Sequence, residues 1–586
     1  MNEGTLRKLL WGYLLLLLPL GWLAMRYDRY AVDGDAVSYM DIADLLHAHR
    51  WSAAVNAYWH PLYPALLWAG QVVFHTSRAT ELRAYYLVNF AIFVLQLGAV
   101  WVFVRALVRL RSGWPGAPDA LLSQSALQLL ATALLVIAVM RELSLGKIRT
   151  DSLLQALILL GLAMLMESLA AESVMAAASF AVAMGLSFGL AYLTKSFAFL
   201  LALLCIVVLV AFAVLVQRRG WMRSLVPGAA ACVVFAAVAG PYVAALSHQK
   251  HRFDFGDSGS LNYAWYVSQT EKMHLQPWMT GSFGSATVHL SHPEQQLMRS
   301  PGVYSYGSFP YGTYPPWFDA TYFNERIVPR FNLRLLLVRD ARNAVLIARY
   351  ILNHPEGPVL LLLFLLMAAR FRGRAAFAWP VAGIGLAMWI IYATVNIEER
   401  YVTVAYFAVL IPVFAGLRTK AQEGHQQVVD TRLACVCVVL LASLTAGEFL
   451  RQGLASRRDE MMTGAVPAWR DAGIYGASEG LAHLGVHAGD TVACIGAGAC
   501  LYDLYWARLA GVRILTEVYD PGPDHLLDRL DALQNRNEVY RTVQQQGARV
   551  LVGVFDAGEM NRTHPAAAGW MRLGETNYYA LPLNLR

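Results

Sequence analysis

Charge is scarce in this chain: Asp, Glu, Lys and Arg make up 15% of its 586 residues, whereas 57% are hydrophobic. A soluble domain usually carries about a quarter charged residues. Uninterrupted apolar runs recur from Leu9 to Leu450, so an ordinary soluble globule is excluded and a polytopic membrane protein is expected. Cysteine is sparse too, and none of the six residues has the CxxC or CxxH spacing of a structural zinc site. The third glycine of a dinucleotide fingerprint is missing after Gly496-Ala497-Gly498, which leaves a packing turn as the reading of that stretch. Clear inverted repeats and midplane broken helices, the marks of many transporters, are absent as well.

What is present sets the topology. The first apolar run, Leu9–Met25, follows Arg7 and Lys8, but Leu23-Ala24-Met25 is a poor cleavage site, so a retained helix is expected. Further spans are expected at Leu82–Val104, Leu121–Met140, Ser152–Leu169, Val174–Leu193, Phe197–Val216, Leu225–Ser247, Gly357–Ala369, Phe377–Asn396, Tyr401–Leu417 and Leu433–Leu450. The expected fold class is therefore an all-α polytopic membrane protein of roughly 11–13 spans, with a small C-terminal α/β soluble domain. Arg7/Lys8, Arg105/Arg109/Arg111, Arg218/Arg219/Arg223, Arg370/Arg372/Arg374 and Arg418/Lys420 all fall on one side, which the positive-inside rule makes cytoplasmic. The net charge of +7 mostly reports this topology, and nucleic acid is not an expected partner.

Three parts then project outward: a first loop at 26–79, a long segment at 249–353, and a tail at 451–586. The division expected is a membrane domain over 1–450 and an extracytoplasmic α/β domain over 451–586. In the first loop, Tyr39, Ile42, Ala43 and Leu46 alternate helically with Asp41, Asp44 and His47, which predicts an interfacial amphipathic helix capped by Ser38 or Asp35. A second short helix is expected from Pro64, after the Pro61 turn. The long segment is rich in aromatic residues, as in the run from Tyr304 to Trp317, and reads equally as a substrate-covering loop or an aromatic belt. Residues 333–352 predict a further interfacial helix.

In the tail, Thr491–Gly496, Val512–Glu517 and Ala548–Val554 predict strands, with helices near Tyr502–Ala510 and Glu538–Gln546. Cys494 and Cys500 lie on the outer side, where a disulfide can form. Cys205, Cys232, Cys435 and Cys437 read as small buried hydrophobes. Asn561-Arg562-Thr563 matches a glycosylation acceptor pattern too common to decide anything.

Acidic residues and a His stand between aromatics beside the first span, in Asp33-Gly34-Asp35 and Tyr58-Trp59-His60, where charge is costly and calls for a reason. Asp35 and Asp33 are candidate bases or charge stabilisers, with helix capping as the plainer reading. Lys147, Arg149 and Lys195 are cations on the side that the basic loops avoid. They suit a phosphate ligand, or pair with Asp151, Glu142 or lipid phosphates. His60 is a candidate phosphate or hydroxyl contact. Asp151 caps a helix or adds a second carboxylate. Glu398-Glu399-Arg400-Tyr401 is a charged cluster whose default reading is internal pairing.

Taken together, Asp35-x-x-Ser38-Tyr39-x-x-Ile42-Ala43, Trp51, Tyr58-Trp59-x-Pro61-Leu62-Tyr63-Pro64, Arg149-Thr150-Asp151, Leu193-Thr194-Lys195 and Glu399-Arg400-Tyr401 resemble the GT-C glycosyltransferases. The likeness is to bacterial chains sharing the membrane core of aminoarabinose transferases and protein O-mannosyltransferases, and spans Leu9 to Leu417. It implies transfer of a sugar from a polyprenyl-phosphate carrier to an envelope lipid, glycan or protein, with inversion, at the outer face of a bacterial inner membrane. It further implies Asp35 as the catalytic carboxylate and Lys195 and Arg149 as donor-phosphate contacts; His60 is added as a candidate phosphate contact, and Tyr39, Tyr58, Asp151, Glu399 and Arg400 as further candidate site residues. Such enzymes often carry an Asp-Glu pair where this chain has Asp33-Gly34-Asp35, so the choice between the aspartates stays open. No ligand set demands a metal, although a divalent ion assists some relatives. A lipid-linked-sugar flippase and a non-catalytic polysaccharide-assembly protein are the competing classes.

Overall fold

The computed structural model describes residues 3–27, 30, 32–114, 122–143, 145–268, 274, 292, 294–325, 327, 329, 331–353, 357, 376–417, 431–433, 435–436, 438–447, 450, 473–520, 526–555, 560 and 565–584. Its first ten helices are α1 Glu3–Tyr27, α2 Gly34–His47, α3 Leu62–Phe74, α4 Glu81–Ser112, α5 Gln124–Ile137, α6 Asp151–Ala170, α7 Val174–Thr194, α8 Phe197–Leu215, α9 Trp221–Lys250 and α10 Ser258–Tyr266. Later come Leu333–Asn353, Trp379–Ala393 and Glu399–Ala415. Of these, α4, α6, α7, α8 and α9 are long and apolar enough to cross a membrane, and shorter apolar helices occupy Leu62–Phe74, Gln124–Met140 and Trp379–Ala393. Apart from Gly357, the expected span Gly357–Ala369 lies outside the described residues.

Helix α6 is apolar on every side and lies among its neighbours, whereas α8 turns Leu200, Leu203, Val207 and Leu215 outward, as a lipid-facing helix does. Helices α7 and α9 touch at Gly185, where an added Cβ would run into the Ala231 backbone. A small residue there allows the close approach that membrane helices use in place of a hydrophobic drive.

Helix α2 departs from expectation. Its N-cap is Asp33, whose carboxylate accepts the Ala36 N–H at 3.0 Å, rather than Ser38 or Asp35. It does not float at an interface either, because Asp41 is buried and Asp44 is bonded. The polar face expected to meet water instead meets the C-terminal domain. Helix α3 starts at Leu62, after Pro61, and buries Tyr63 and Leu67.

That domain is built on a seven-stranded sheet: β1 Gln295–Arg299, β2 Gly302–Ser305, β3 Thr491–Ile495, β4 Arg513–Tyr519, β5 Val550–Val554, β6 Met571–Arg572 and β7 Tyr578–Pro582, in the order β1-β2-β4-β3-β5-β7-β6. β3 runs parallel to β4 and β5, and the remaining pairs are antiparallel. The sheet is thus not confined to the tail. The long segment between α9 and Leu333–Asn353 contributes β1 and β2, with β2 paired to β4 from Gly302–Tyr519 to Ser305–Thr516.

Alternate residues of the central strands serve two cores, as the pleat requires. Val492, Cys494, Val550 and Val552 join the core that continues into the membrane helices. Ala493, Ile495 and Leu551 face Leu527, Val539 and Val543 of the covering helices. Cys494 and Cys500 are joined by a disulfide, with Cα atoms 5.5 Å apart. Gly496 takes φ +77° in the turn after β3, which matches the reading of this stretch as a turn. Cys205 is buried as expected, but Cys232 is exposed, since its face of α9 is not covered by protein. Cys437 and the Asn561-Arg562-Thr563 pattern lie outside the described residues.

Candidate functional site

Helix α2, the Tyr58–His60 turn, the link before α6, the α7–α8 turn and the start of Glu399–Ala415 surround a cavity of about 1050 Å³. The segment 252–263, together with Trp317, Thr321, Asn324, Glu325, Ile327 and Pro329, completes its lining. Asp35, Tyr39, Tyr58, His60, Arg149, Asp151, Lys195 and Arg400 all line it, although they come from positions as far apart as 35 and 400. The charged members stand at or beside helix termini: Asp35 in the first turn of α2, Arg149 and Asp151 at the start of α6, Lys195 between α7 and α8, and Arg400 at the start of Glu399–Ala415.

The charges interlock. Lys195 Nζ lies 3.1 Å from Asp151 Oδ1 and 4.2 Å from the Tyr401 ring centre, a cation–π distance. Arg400 Nη1 lies 3.5 Å from Asp151 Oδ2 and 3.8 Å from Asp35 Oδ2, while its Nε is 2.7 Å from Glu398 Oε2. Arg149 Nη2 meets Asp33 Oδ2 at 2.7 Å. Burial pushes the Asp33 carboxyl up, but Arg149 and the Ala36 N–H outweigh it and hold the group below the usual carboxylate range. Burial acts against the Arg149 charge in turn, and Asp33 more than restores it.

The two aspartates therefore separate. Asp33 is consumed in capping α2 and in holding Arg149, and it is not part of the cavity lining. Asp35 lines the cavity and accepts the Trp317 indole N–H at 3.1 Å. Glu399 does not line it, and its neighbour Glu398 does. His60 lines it as a neutral ring: burial pulls its pKa down to about 4, against the opposing pull of the Tyr192 backbone and of Asp254. As a neutral ring His60 can still donate one N–H to a phosphate or hydroxyl, the contact expected above, but it brings no positive charge. Tyr58 is buried beside Asp35, and both effects push its phenol well above its ordinary value, so it stays protonated. Among the described residues, no group of three or more His, Cys, Asp or Glu side chains is placed to hold a metal ion.

Sequence reasoning did not single out Trp317, Asn262, Tyr266, Tyr392 or the segment from Arg252 to Ser258 as lining residues. The signal was present for the last of these, because Arg252-Phe253-Asp254-Phe255-Gly256-Asp257 interleaves charge and aromatics as the first loop does. Asp257 is pushed up to about 6 by burial and by Asp254, against the pull of Arg252 and Lys250.

No protein-family model and no curated protein matches the sequence. Solved structures do match over the whole length. ArnT from Cupriavidus metallidurans bound to undecaprenyl phosphate is 14% identical, with 98% of this chain and 99% of that chain covered at a TM-score of 0.51. The same protein in the apo state is 14% identical, with 98% of each chain covered at a TM-score of 0.50. At that identity the likeness is one of fold: this chain shares the overall architecture of ArnT, a core of apolar helices bearing a sheet domain.

Proposed function

We propose that this chain is an integral membrane glycosyltransferase. It moves a sugar from a polyprenyl-phosphate carrier to an envelope lipid, glycan or protein, with Asp35 as the reacting carboxylate. The observation that carries this reading is the single cavity in which Asp35 stands beside Arg400, with Lys195 and Arg149 on the same wall. The acceptor hydroxyl gives its proton to Asp35 while its oxygen attacks the anomeric carbon. The bond from that carbon to the phosphate oxygen breaks on the opposite face, and the carrier leaves as polyprenyl phosphate, with inversion.

The cavity does not offer a surplus of positive charge at this end, since Arg149, Lys195 and Arg400 face Asp35, Asp151 and Glu398. It offers cations already oriented by carboxylates, so little reorganisation is needed when charge develops on the departing phosphate. The undecaprenyl phosphate bound to ArnT, which has the same fold, supports a carrier of this class. The distribution of basic loops supports an orientation with the cavity and the sheet domain on the outer face of a bacterial inner membrane.

Proteoliposomes given a labelled polyprenyl-phosphate sugar and an envelope extract test the reading. Label transferred to an extract component supports it. Label moved across the bilayer without transfer marks a flippase, and neither result marks a non-catalytic assembly protein.

A further inference from the structure

Trp317 reaches Asp35 from 282 positions away in the chain. Its backbone is pinned where the indole must stand: the Trp317 carbonyl accepts from Trp59 Nε1 at 3.0 Å and from Ser38 Oγ at 3.4 Å, and the next carbonyl, of Phe318, accepts from Asn56 Nδ2 at 2.7 Å. The ring is 6% exposed and stacks near Trp265, with centroids 6.4 Å apart. On the facing side stands Gly34, the residue that separates the two aspartates. A Cβ there would come within 3.0 Å of Trp317 Cδ1 and 3.2 Å of the Leu501 carbonyl oxygen, so only glycine leaves this room without a shift.

We propose that Trp317 is the positioning residue of the Asp35 carboxylate, its indole N–H holding Oδ1 while Oδ2 stays on the side of Arg400, and that Gly34 is the residue that admits the indole. This deepens the reading of Asp35 as the reacting carboxylate and rests on it. A donor fixed on one oxygen sets the plane of the carboxylate and favours its charged form, which is the form that accepts a proton. The chain's Asp33-Gly34-Asp35 then has a physical reason: the first aspartate caps the helix, the glycine makes space, and the second is held by the indole.

The experiment uses the full-length chain in proteoliposomes, comparing wild type, Trp317→Phe, Gly34→Ala and Asp35→Asn. Phenylalanine keeps an aromatic ring in place and removes the N–H. Undecaprenyl phosphate binding is expected to be unchanged in Trp317→Phe, whereas transfer from a labelled polyprenyl-phosphate sugar falls about tenfold at neutral pH and its acid limb moves up by about one pH unit. Gly34→Ala, which presses on the indole, is expected to shift the limb in the same direction. Infrared titration of the Asp35 carboxylate, isolated as the difference between a given background and its Asp35→Asn version, reads the same shift without turnover. An unmoved acid limb, or an unmoved carboxylate titration, overturns the proposal even if the variant is less stable. If Trp317→Phe does not fold, the Gly34→Ala titration decides. Transfer at the wild-type rate by Asp35→Asn defeats the reading of the carboxylate itself. An inert Asp35→Asn beside a wild-type-like Trp317→Phe defeats only the positioning role.

Discussion

Arg508 Nη1 lies 2.7 Å from Asp41 Oδ1, joining the sheet domain to helix α2 across 467 positions of sequence. The same side chain bonds Asp44 at 2.9 and 3.1 Å and Glu81 at 2.9 and 2.8 Å, and it is fully enclosed. A planar guanidinium with five donors suits such a three-carboxylate cradle, where a lysine would satisfy fewer partners. Burial opposes the Arg508 charge, but Asp44 and Glu81 more than compensate. The helix that Asp33 caps and that carries Asp35 is thereby tied to the sheet domain.

Removing this cation strands buried carboxylates. Arg508→Met is expected to destabilise the protein by about 3–5 kcal/mol, because Asp41 and Glu81 lose their counter-charge in an enclosed site. Adding Asp41→Asn and Glu81→Gln to the same variant should recover part of that loss. Thermal unfolding in detergent measures both. A single variant as stable as wild type would show that the cradle relaxes or admits water.

The membrane helices were legible because an apolar run of span length admits few other structures, and β3, β4 and β5 because short β-branched runs between turns read clearly. The role of α2's polar face was not. Asp41, Asp44 and His47 carry the same periodicity whether they meet water or Arg508, and the partner lies hundreds of residues away. β1 and β2 were invisible for a related reason: strand pairing with β4 gives no local signal within 295–305. At the site, Arg149 and Lys195 could be found as cations standing where the topology disfavours them, and Asp35 as an acid set among aromatics beside the first span. Trp317 was hidden inside an aromatic run that fits a lipid belt equally well.

His60 gives the fold a pH dependence of its own. Its pKa is lowered to about 4 by burial, with the Tyr192 backbone and Asp254 pulling the other way. The unfolded chain therefore takes up this proton first as pH falls, starting near the ordinary value of about 6.5. Stability from the neutral buried ring is complete above that pH and declines until about 4, by about 3 kcal/mol in total. The difference in unfolding free energy between wild type and His60→Phe should be flat above the window and change across it. A difference independent of pH would mean that the folded-state pKa of the ring is not lowered by burial.

Lys195 should serve donor binding more than folding. Its ammonium is partly exposed and already paired with Asp151, so Lys195→Ala removes an ion pair that contributes modestly to stability. A charge-assisted contact to the carrier phosphate is stronger, and its loss is expected to weaken undecaprenyl phosphate binding by about 10- to 100-fold. Lys195→Arg should keep part of the affinity. Equilibrium binding to the reconstituted variants checks this, and wild-type affinity in a folded Ala variant removes Lys195 from the phosphate site.

The two aspartates of the first loop should part sharply on conversion to asparagine. Asp33 caps α2 and holds Arg149, and asparagine caps nearly as well, so Asp33→Asn loses mainly a partly buried ion pair, about 1–2 kcal/mol. It should retain measurable transfer, with a lower affinity for donor if Arg149 drifts. Asp35 is not the cap, and asparagine there keeps the size while removing both charge and basicity, so Asp35→Asn should stay folded, bind undecaprenyl phosphate and lose transfer by about 100-fold or more. Rates measured side by side in proteoliposomes, with binding as the control for folding, distinguish the two. If Asp33→Asn is the inert one while Asp35→Asn turns over, the reacting carboxylate lies two residues upstream, and the cap and the base are the same group. If both turn over at the wild-type rate, neither first-loop carboxylate takes the proton, and Asp151, which Lys195 and Arg400 both contact, becomes the carboxylate to replace.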